Sequence, residues 1–218
     1  MKKYLVITFA WIALTMLYSC RTQSINKQTS NNPEKYDFNA VNKLSSCTGV
    51  IRNGWTILMY SMQPYGAWYR EYPPVPEFYR VVKSFYPNGN IQTVGKIIGE
   101  NLRIGEWVYF DDRGNITEIV DEDKKLGKIK VKDILKFIEK EGHINLSTGE
   151  GREYGVITPD GSGYNMHGRF RINWGEKEYF VIVIDSAPWN DNLETVYKMD
   201  KKTGKMISKK CEKIYPIY

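Results

Sequence analysis

Phe85-Tyr86-Pro87-Asn88-Gly89-Asn90-Ile91-Gln92-Thr93-Val94 is answered 25 residues later by Phe110-Asp111-Asp112-Arg113-Gly114-Asn115-Ile116-Thr117-Glu118-Ile119. Phe, Gly, Asn and Ile recur at matching places. Between the copies lies Gly105-Glu106-Trp107-Val108-Tyr109-Phe110, and an earlier glycine is likewise followed two residues on by a tryptophan, at Gly66 and Trp68. A fixed period of this size marks a unit that cannot bury its apolar face alone and stacks on a copy of itself. Residues 80–123 therefore read as a tandem of short β-hairpins, a scaffold before they are a site.

The rest of the composition agrees with strands and turns. In 218 residues there are sixteen tyrosines, six tryptophans and eighteen glycines, which favour pleated surfaces and tight turns over helices. Upstream, Asn53-Gly54 stands between the apolar segments Val50-Ile51 and Trp55-Thr56-Ile57-Leu58-Met59-Tyr60, a hairpin signal. Next, the fourteen residues from Gln63 to Pro76 carry four prolines and four large aromatics. That density is expected to exclude both a helix and a central strand. As an exposed loop it would present Tyr65, Trp68, Tyr69 and Tyr72, rigid amphipathic rings of the kind used at binding surfaces. The other reading has Trp68 and Tyr72 folding back to cap the hairpin core.

Downstream, residues 121–128 read as a charged, solvated linker and a domain boundary. Beyond it, apolar groups at Val131, Ile134, Leu135 and Ile138 have the spacing of one buried helical face, with Asp133 in the first turn and Gly142 just past the end. Residues 143–168 are rich in Gly and polar side chains and read as a loop. Gly149-Glu150-Gly151-Arg152-Glu153-Tyr154-Gly155 has the wrong spacing for a phosphate-binding turn. Strands are expected at residues 169–174, at 178–185, which is nearly all apolar and so central, at 193–200 and at 206–210.

The N-terminus is different material. Lys2 and Lys3 precede an apolar run of about fourteen residues, shorter than the roughly 20 needed to span a bilayer and suited to a secretory leader. Leu17-Tyr18-Ser19-Cys20 resembles the lipobox of bacterial lipoproteins. That resemblance implies a signal peptide at 1–19, cleavage before Cys20, and a diacylated cysteine holding the protein to a membrane. Residues 21–35 are rich in Ser, Thr, Asn, Gln and Lys with hardly an apolar group, so they read as a tether, and the flexible segment is placed at 20–45. With Arg21 and no acidic run after the cysteine, the periplasmic face of the outer membrane is the expected location.

Removing residues 1–19 takes away two lysines and no acid, so the formal charge falls from +6 to +4, 29 basic against 25 acidic residues. This excess is scattered and forms no basic cluster, so no nucleic-acid partner is expected. In an oxidising compartment Cys47 and Cys211 form an even pair. Bridged, they would close a loop of about 165 residues and contribute roughly 4 to 5 kcal/mol on the chain-entropy model; two free thiols are the other reading.

The repeat region, on Tyr86-Pro87-Asn88-Gly89-Asn90-Ile91, Gly105-Glu106-Trp107-Val108-Tyr109-Phe110 and Asp112-Arg113-Gly114-Asn115-Ile116, resembles the MORN-like variant repeats of the YwqK family of antitoxins. The hairpin Tyr197-Lys198-Met199-Asp200-Lys201-Lys202-Thr203-Gly204-Lys205-Met206-Ile207, together with the helix at 131–142, looks like a PepSY-like domain, a small exported binding or protease-inhibiting module. The expectation is α+β, mostly antiparallel β: a β-meander of MORN-like hairpins at 46–123, then a helix packed on a small antiparallel sheet at 128–214. The resemblances imply toxin neutralisation or protease inhibition as one role.

Catalytic signals are sparse. His143 and His167 stand in polar segments without further His or Cys ligands, so no zinc site is expected. Asp111-Asp112 and Asp121-Glu122-Asp123 lack the spacing of a calcium loop and read as solvated charge. No Gly-x-Ser-x-Gly elbow occurs, and a carboxylate pair acting on envelope polymers is the one enzymatic alternative. The leading expectation is a non-catalytic, lipid-anchored cell-envelope protein without cofactor, binding a protein or glycan partner through Tyr65, Trp68, Tyr69 and Tyr72.

Overall fold

A computed structural model describes residues 34–38, 47–152, 154–157, 164–167, 170–174, 178–185 and 193–213. The expected leader, Cys20 and most of the tether lie outside them. Seven antiparallel strands follow one another in sequence order: β1 (Cys47–Arg52), β2 (Trp55–Ser61), β3 (Ala67–Tyr72), β4 (Tyr79–Phe85), β5 (Ile91–Ile98), β6 (Leu102–Phe110) and β7 (Ile116–Asp121). This is a meander, each strand pairing with its neighbour in the chain. Asn53, at φ 50°, and Gly54 close β1 onto β2 with Arg52 opposite Trp55.

The sequence repeat is a repeat of hairpin geometry. In the first copy the Tyr86 amide donates to the Asn90 carbonyl and the Gly89 amide to the Tyr86 carbonyl, at 2.8 and 2.9 Å; in the second, Asp111 donates to Asn115 and Gly114 to Asp111, at 2.9 and 3.0 Å. A bulge precedes each turn, at Ser84/Phe85 and at Tyr109/Phe110. Gly89 and Gly114 take φ of 83° and 87°, where a Cβ would be strained. The copies also hold each other: the Tyr86 hydroxyl donates to the Phe110 carbonyl, and the Asn88 and Asn90 side-chain amides both donate to the Asp112 carbonyl. Among the described residues the second copy shows no such outward reach. Asp111 stands where Tyr86 stood and accepts from the amides of Arg113 and Asn115 and from the Asn115 side chain, bonds that hold its carboxyl below the usual range. The stack closes on itself there, as a terminal repeat should.

Residues expected to form an exposed loop form an interior strand instead. β3 pairs with β2 on one side and β4 on the other. Proline density was the wrong guide because Pro64, Pro73, Pro74 and Pro76 all flank Ala67–Tyr72 and none interrupts its ladder. The tether also ends sooner than expected. Tyr36 is 4% exposed and packs against Tyr69 and Phe85, with ring centroids 5.0 and 5.3 Å apart, while its amide donates to Gly89. Composition argued for residues 21–35, and Tyr36 and Phe38 just beyond them carry the apolar surface that docks this strap. Lys83 pins it, bonding Glu34 at 3.0 Å and Glu71 at 2.8 Å. Burial pulls this ammonium down, and the charge of Glu34 with the hydrogen bond and charge of Glu71 outweigh it, so its pKa is raised.

Residues 122–126 are not a solvated linker. They make a 3-10 helix, Glu122–Leu126, in which Glu122 and Leu126 are buried. α1 (Val131–Lys140) follows, the one α-helix among the described residues, with Ile134 and Ile138 inward and the Asp133 carboxylate accepting from the Lys130 amide. The expected loop contains a two-stranded hairpin, β8 (Tyr154–Ile157) with β9 (Tyr164–His167). A second sheet runs in the order β10 (Phe170–Trp174), β11 (Tyr179–Asp185), β12 (Leu193–Asp200) and β13 (Met206–Lys213), with apolar β11 inside as its composition requires. One buried cluster joins Ile98 and Leu102 of the meander to Leu126, Ile134, Ile138, Phe170, Ile172, Ile182 and Tyr197. The fold is mostly antiparallel β, and its two larger sheets share this core.

Gly95 has a different reason to be glycine. A Cβ there would lie 2.3 Å from the Trp107 indole. Gly95→Ala is expected to cost about 1 to 3 kcal/mol through overpacking, lowering Tm by roughly 2 to 4 °C for each kcal/mol in thermal unfolding; an unchanged Tm would mean the indole is not seated as described.

Candidate functional site

Strand register assigns every side chain of the meander to one of two faces, because partners across a ladder point the same way and neighbours along a strand do not. The core face carries Ala67, Tyr69, Phe85, Val94, Ile98 and Leu102. On the opposite face Tyr60, Trp68, Ser84, Thr93 and Tyr109 are successive cross-strand partners from β2 to β6. They form one row across the sheet.

The four ring residues expected to share a surface are therefore divided. Tyr65 is 82% exposed in the turn before β3, its amide donating to the Met62 carbonyl. Trp68 is 47% exposed on the opposite face, Tyr69 points to the core face under Tyr36, and Tyr72, on the same face as Trp68, is 7% exposed. One strand thus carries an exposed ring at Trp68 and a buried one at Tyr72. Burial raises the Tyr69 pKa, with Glu34 adding to it.

Composition did not single out the neighbours that complete the row. The Arg70 guanidinium lies over the Tyr60 ring at 5.5 Å. At the far end Arg103 lies 4.1 Å from the centre of the Trp107 ring and donates to the Tyr109 hydroxyl at 2.8 Å. Trp107 itself is buried, its indole N–H donating to the Lys96 carbonyl across Gly95. In the middle the hydroxyls of Ser84 and Thr93 bond each other at 2.7 Å. Period-two alternation along each strand was the available signal; which strand positions meet depended on the bulges.

A second polar cluster lies where the end of α1 meets β12 and β13. His143 Nε2 is 2.7 Å from the Tyr197 hydroxyl, and Lys209 bonds Glu141 at 3.1 Å. Burial, then the charge of Lys209, hold the imidazole below its ordinary value against the opposing pull of Glu141; burial raises the Tyr197 hydroxyl, and the bonds to Tyr197 and Glu141 raise Lys209. The Phe137 ring stands edge-on to Tyr197 at 5.3 Å, so this cluster closes the core beneath the helix.

Cys211 is an exposed free thiol on β13, its sulfur 3.8 Å from the Thr195 hydroxyl, and the side chains of Cys47 and His167 lie outside the described residues. Among the described residues no three His, Cys, Asp or Glu side chains gather as metal ligands, and no helix is long and apolar enough to cross a membrane. A recess lined by Tyr72, Glu77, Phe78, Tyr79, Arg80 and Arg152 has a volume of about 10 Å³, room for one water. No family model, characterised protein or solved structure matches the chain.

Two outcomes follow. Trp68→Ala should leave unfolding free energy within about 0.5 kcal/mol, whereas Tyr72→Ala should cost about 3 to 5 kcal/mol; equal losses in denaturant titrations would contradict the division of the strand. The unfolded chain takes up a proton at His143 below about pH 6.5 that the folded chain resists. Stability is therefore present above that pH and lost as pH falls, and His143→Gln should flatten the decline in Tm between pH 7.5 and 5.5.

Proposed function

We propose that this chain is a lipid-anchored bacterial envelope protein, on the outer membrane and facing the periplasm, that binds a protein or glycan partner on its β scaffold without catalysing a reaction. The observation that carries the reading is the ring-bearing row: a half-exposed tryptophan on a paired interior strand, set among tyrosines and arginines. A solvent-facing Trp in a rigid ladder loses little entropy on contact, which suits recognition. The leader and the lipobox-like Leu17-Tyr18-Ser19-Cys20 support the anchor. The repeat is read as MORN-like and the second sheet with α1 as PepSY-like, on the residues quoted for each.

Metabolic labelling with a fatty acid tests the anchor. The wild-type chain should incorporate label and sediment with membranes, while Cys20→Ser should do neither. A wild-type chain that stays unlabelled and soluble would overturn the anchor. Cross-linking of the anchored chain in cells, read by mass spectrometry, tests binding of a protein partner.

A further inference from the structure

We propose that the turn end of the meander where the strap docks rests on the lipid bilayer as an apolar rim, carried by Met62, Tyr65 and Ile116. The inference rests on the anchor reading and adds to it a second contact, made by the folded domain itself. In a meander alternate hairpin turns lie at one end of the sheet, so the turns at residues 62–66, 86–90 and 111–115 are neighbours. Their contacts agree. A Cβ on Gly66 would stand 2.2 Å from the Phe85 carbonyl oxygen, and the Asn88 and Asn90 side chains donate to the Asp112 carbonyl. From β2 to β7 the rim crosses five strand spacings, about 24 Å, and Met62, Tyr65 and Ile116 are exposed along it. The first turn is closed twice, the Met62 amide donating to the Gly66 carbonyl at 2.9 Å and the Tyr65 amide to the Met62 carbonyl at 2.6 Å. Little backbone freedom is then lost when its side chains are covered.

The place where the chain enters and the charge of the rim select a membrane as the occupant. The chain enters at this end, since Lys35 bridges to Asn90 and the Ile91 amide donates to the Glu34 carbonyl. Glu34 follows Cys20 by 14 residues, and a tether of that length reaches about 20 Å. β6 has nine residues and spans about 30 Å, so the anchor keeps this end of the sheet, and not the opposite one, beside the bilayer. On the rim Asp37, Asp111 and Asp112 outnumber Lys35 and Arg113. That balance disfavours acidic lipid and leaves apolar burial in a zwitterionic surface as the attraction. Tyrosine suits the depth, with a ring for the acyl boundary and a hydroxyl for the headgroups. Ile51, exposed next to the turn at the opposite end, stays in water.

Benzophenone photocross-linking of the acylated full chain in vesicles of phosphatidylethanolamine and phosphatidylcholine tests the rim, with lipid adducts read by mass spectrometry. Tyr65→p-benzoylphenylalanine and Ile116→p-benzoylphenylalanine should each give about tenfold more lipid adduct than Ile51→p-benzoylphenylalanine. Adding phosphatidylglycerol to the vesicles should not raise the yield. Circular dichroism checks the folding of each variant, and the change at Ile116 carries the test should the change at Tyr65 misfold. A rim position that gives no more adduct than Ile51, in a folded and acylated chain, overturns the rim. So does a yield that climbs with phosphatidylglycerol, which would make the contact electrostatic. In whole cells, a protein cross-linked at Tyr65 in place of lipid overturns it as well. Only acylated chain, identified by its mass, is scored, so loss of the rim leaves the anchor standing, whereas a chain that is never acylated sinks the anchor and the rim together.

Discussion

Hydrogen bonds from the side chains of Tyr86, Asn88 and Asn90 to the carbonyls of Phe110 and Asp112 tie two hairpin turns of matching backbone pattern together, and the meander depends on that tie. A one-residue slip between β4–β5 and β6–β7 would carry every ring to the other side of the sheet. The tie prevents it, because the donors find their carbonyls at one register only. With the register held, Ile98 and Leu102 face the shared core while Trp68 and Tyr109 face away from it.

Corresponding positions are not equally buried. Ile91 and Ile116 hold corresponding places in the two copies, yet Ile91 is buried beside Tyr36 and Ile116 is exposed. The difference comes from the strap at residues 34–38, which docks beside the first turn through the backbone of Gly89 and is pinned by Lys83. The second copy ends the sheet, and its Asp111 turns the donors of its own turn inward.

The second sheet and α1 cover the other end of the core face. The chain leaves the meander through a 3-10 helix, charged in sequence, that buries Leu126, and Ile129 just beyond it is buried too. His143, Tyr197, Glu141 and Lys209 then tie the end of the helix to β12 and β13 through polar contacts. Burial that costs the imidazole its proton is the other side of closing that core tightly.

Local patterns in the chain were enough for the turns at Asn53-Gly54 and Gly89, the helix at Val131–Lys140, the interior position of β11 and the mostly antiparallel β class, because each rests on residues within a few positions of one another. They misled where prolines flanked a strand, where two aromatics followed a polar tether, and where a charged segment hid Leu126. The candidate site was half legible: Trp68 was singled out, but as part of a loop whose four rings would share a surface. Which rings meet, and which arginines lie beside them, was decided only by tertiary structure, since cross-strand pairing and bulges join residues up to several tens of positions apart and no local preference encodes that distance.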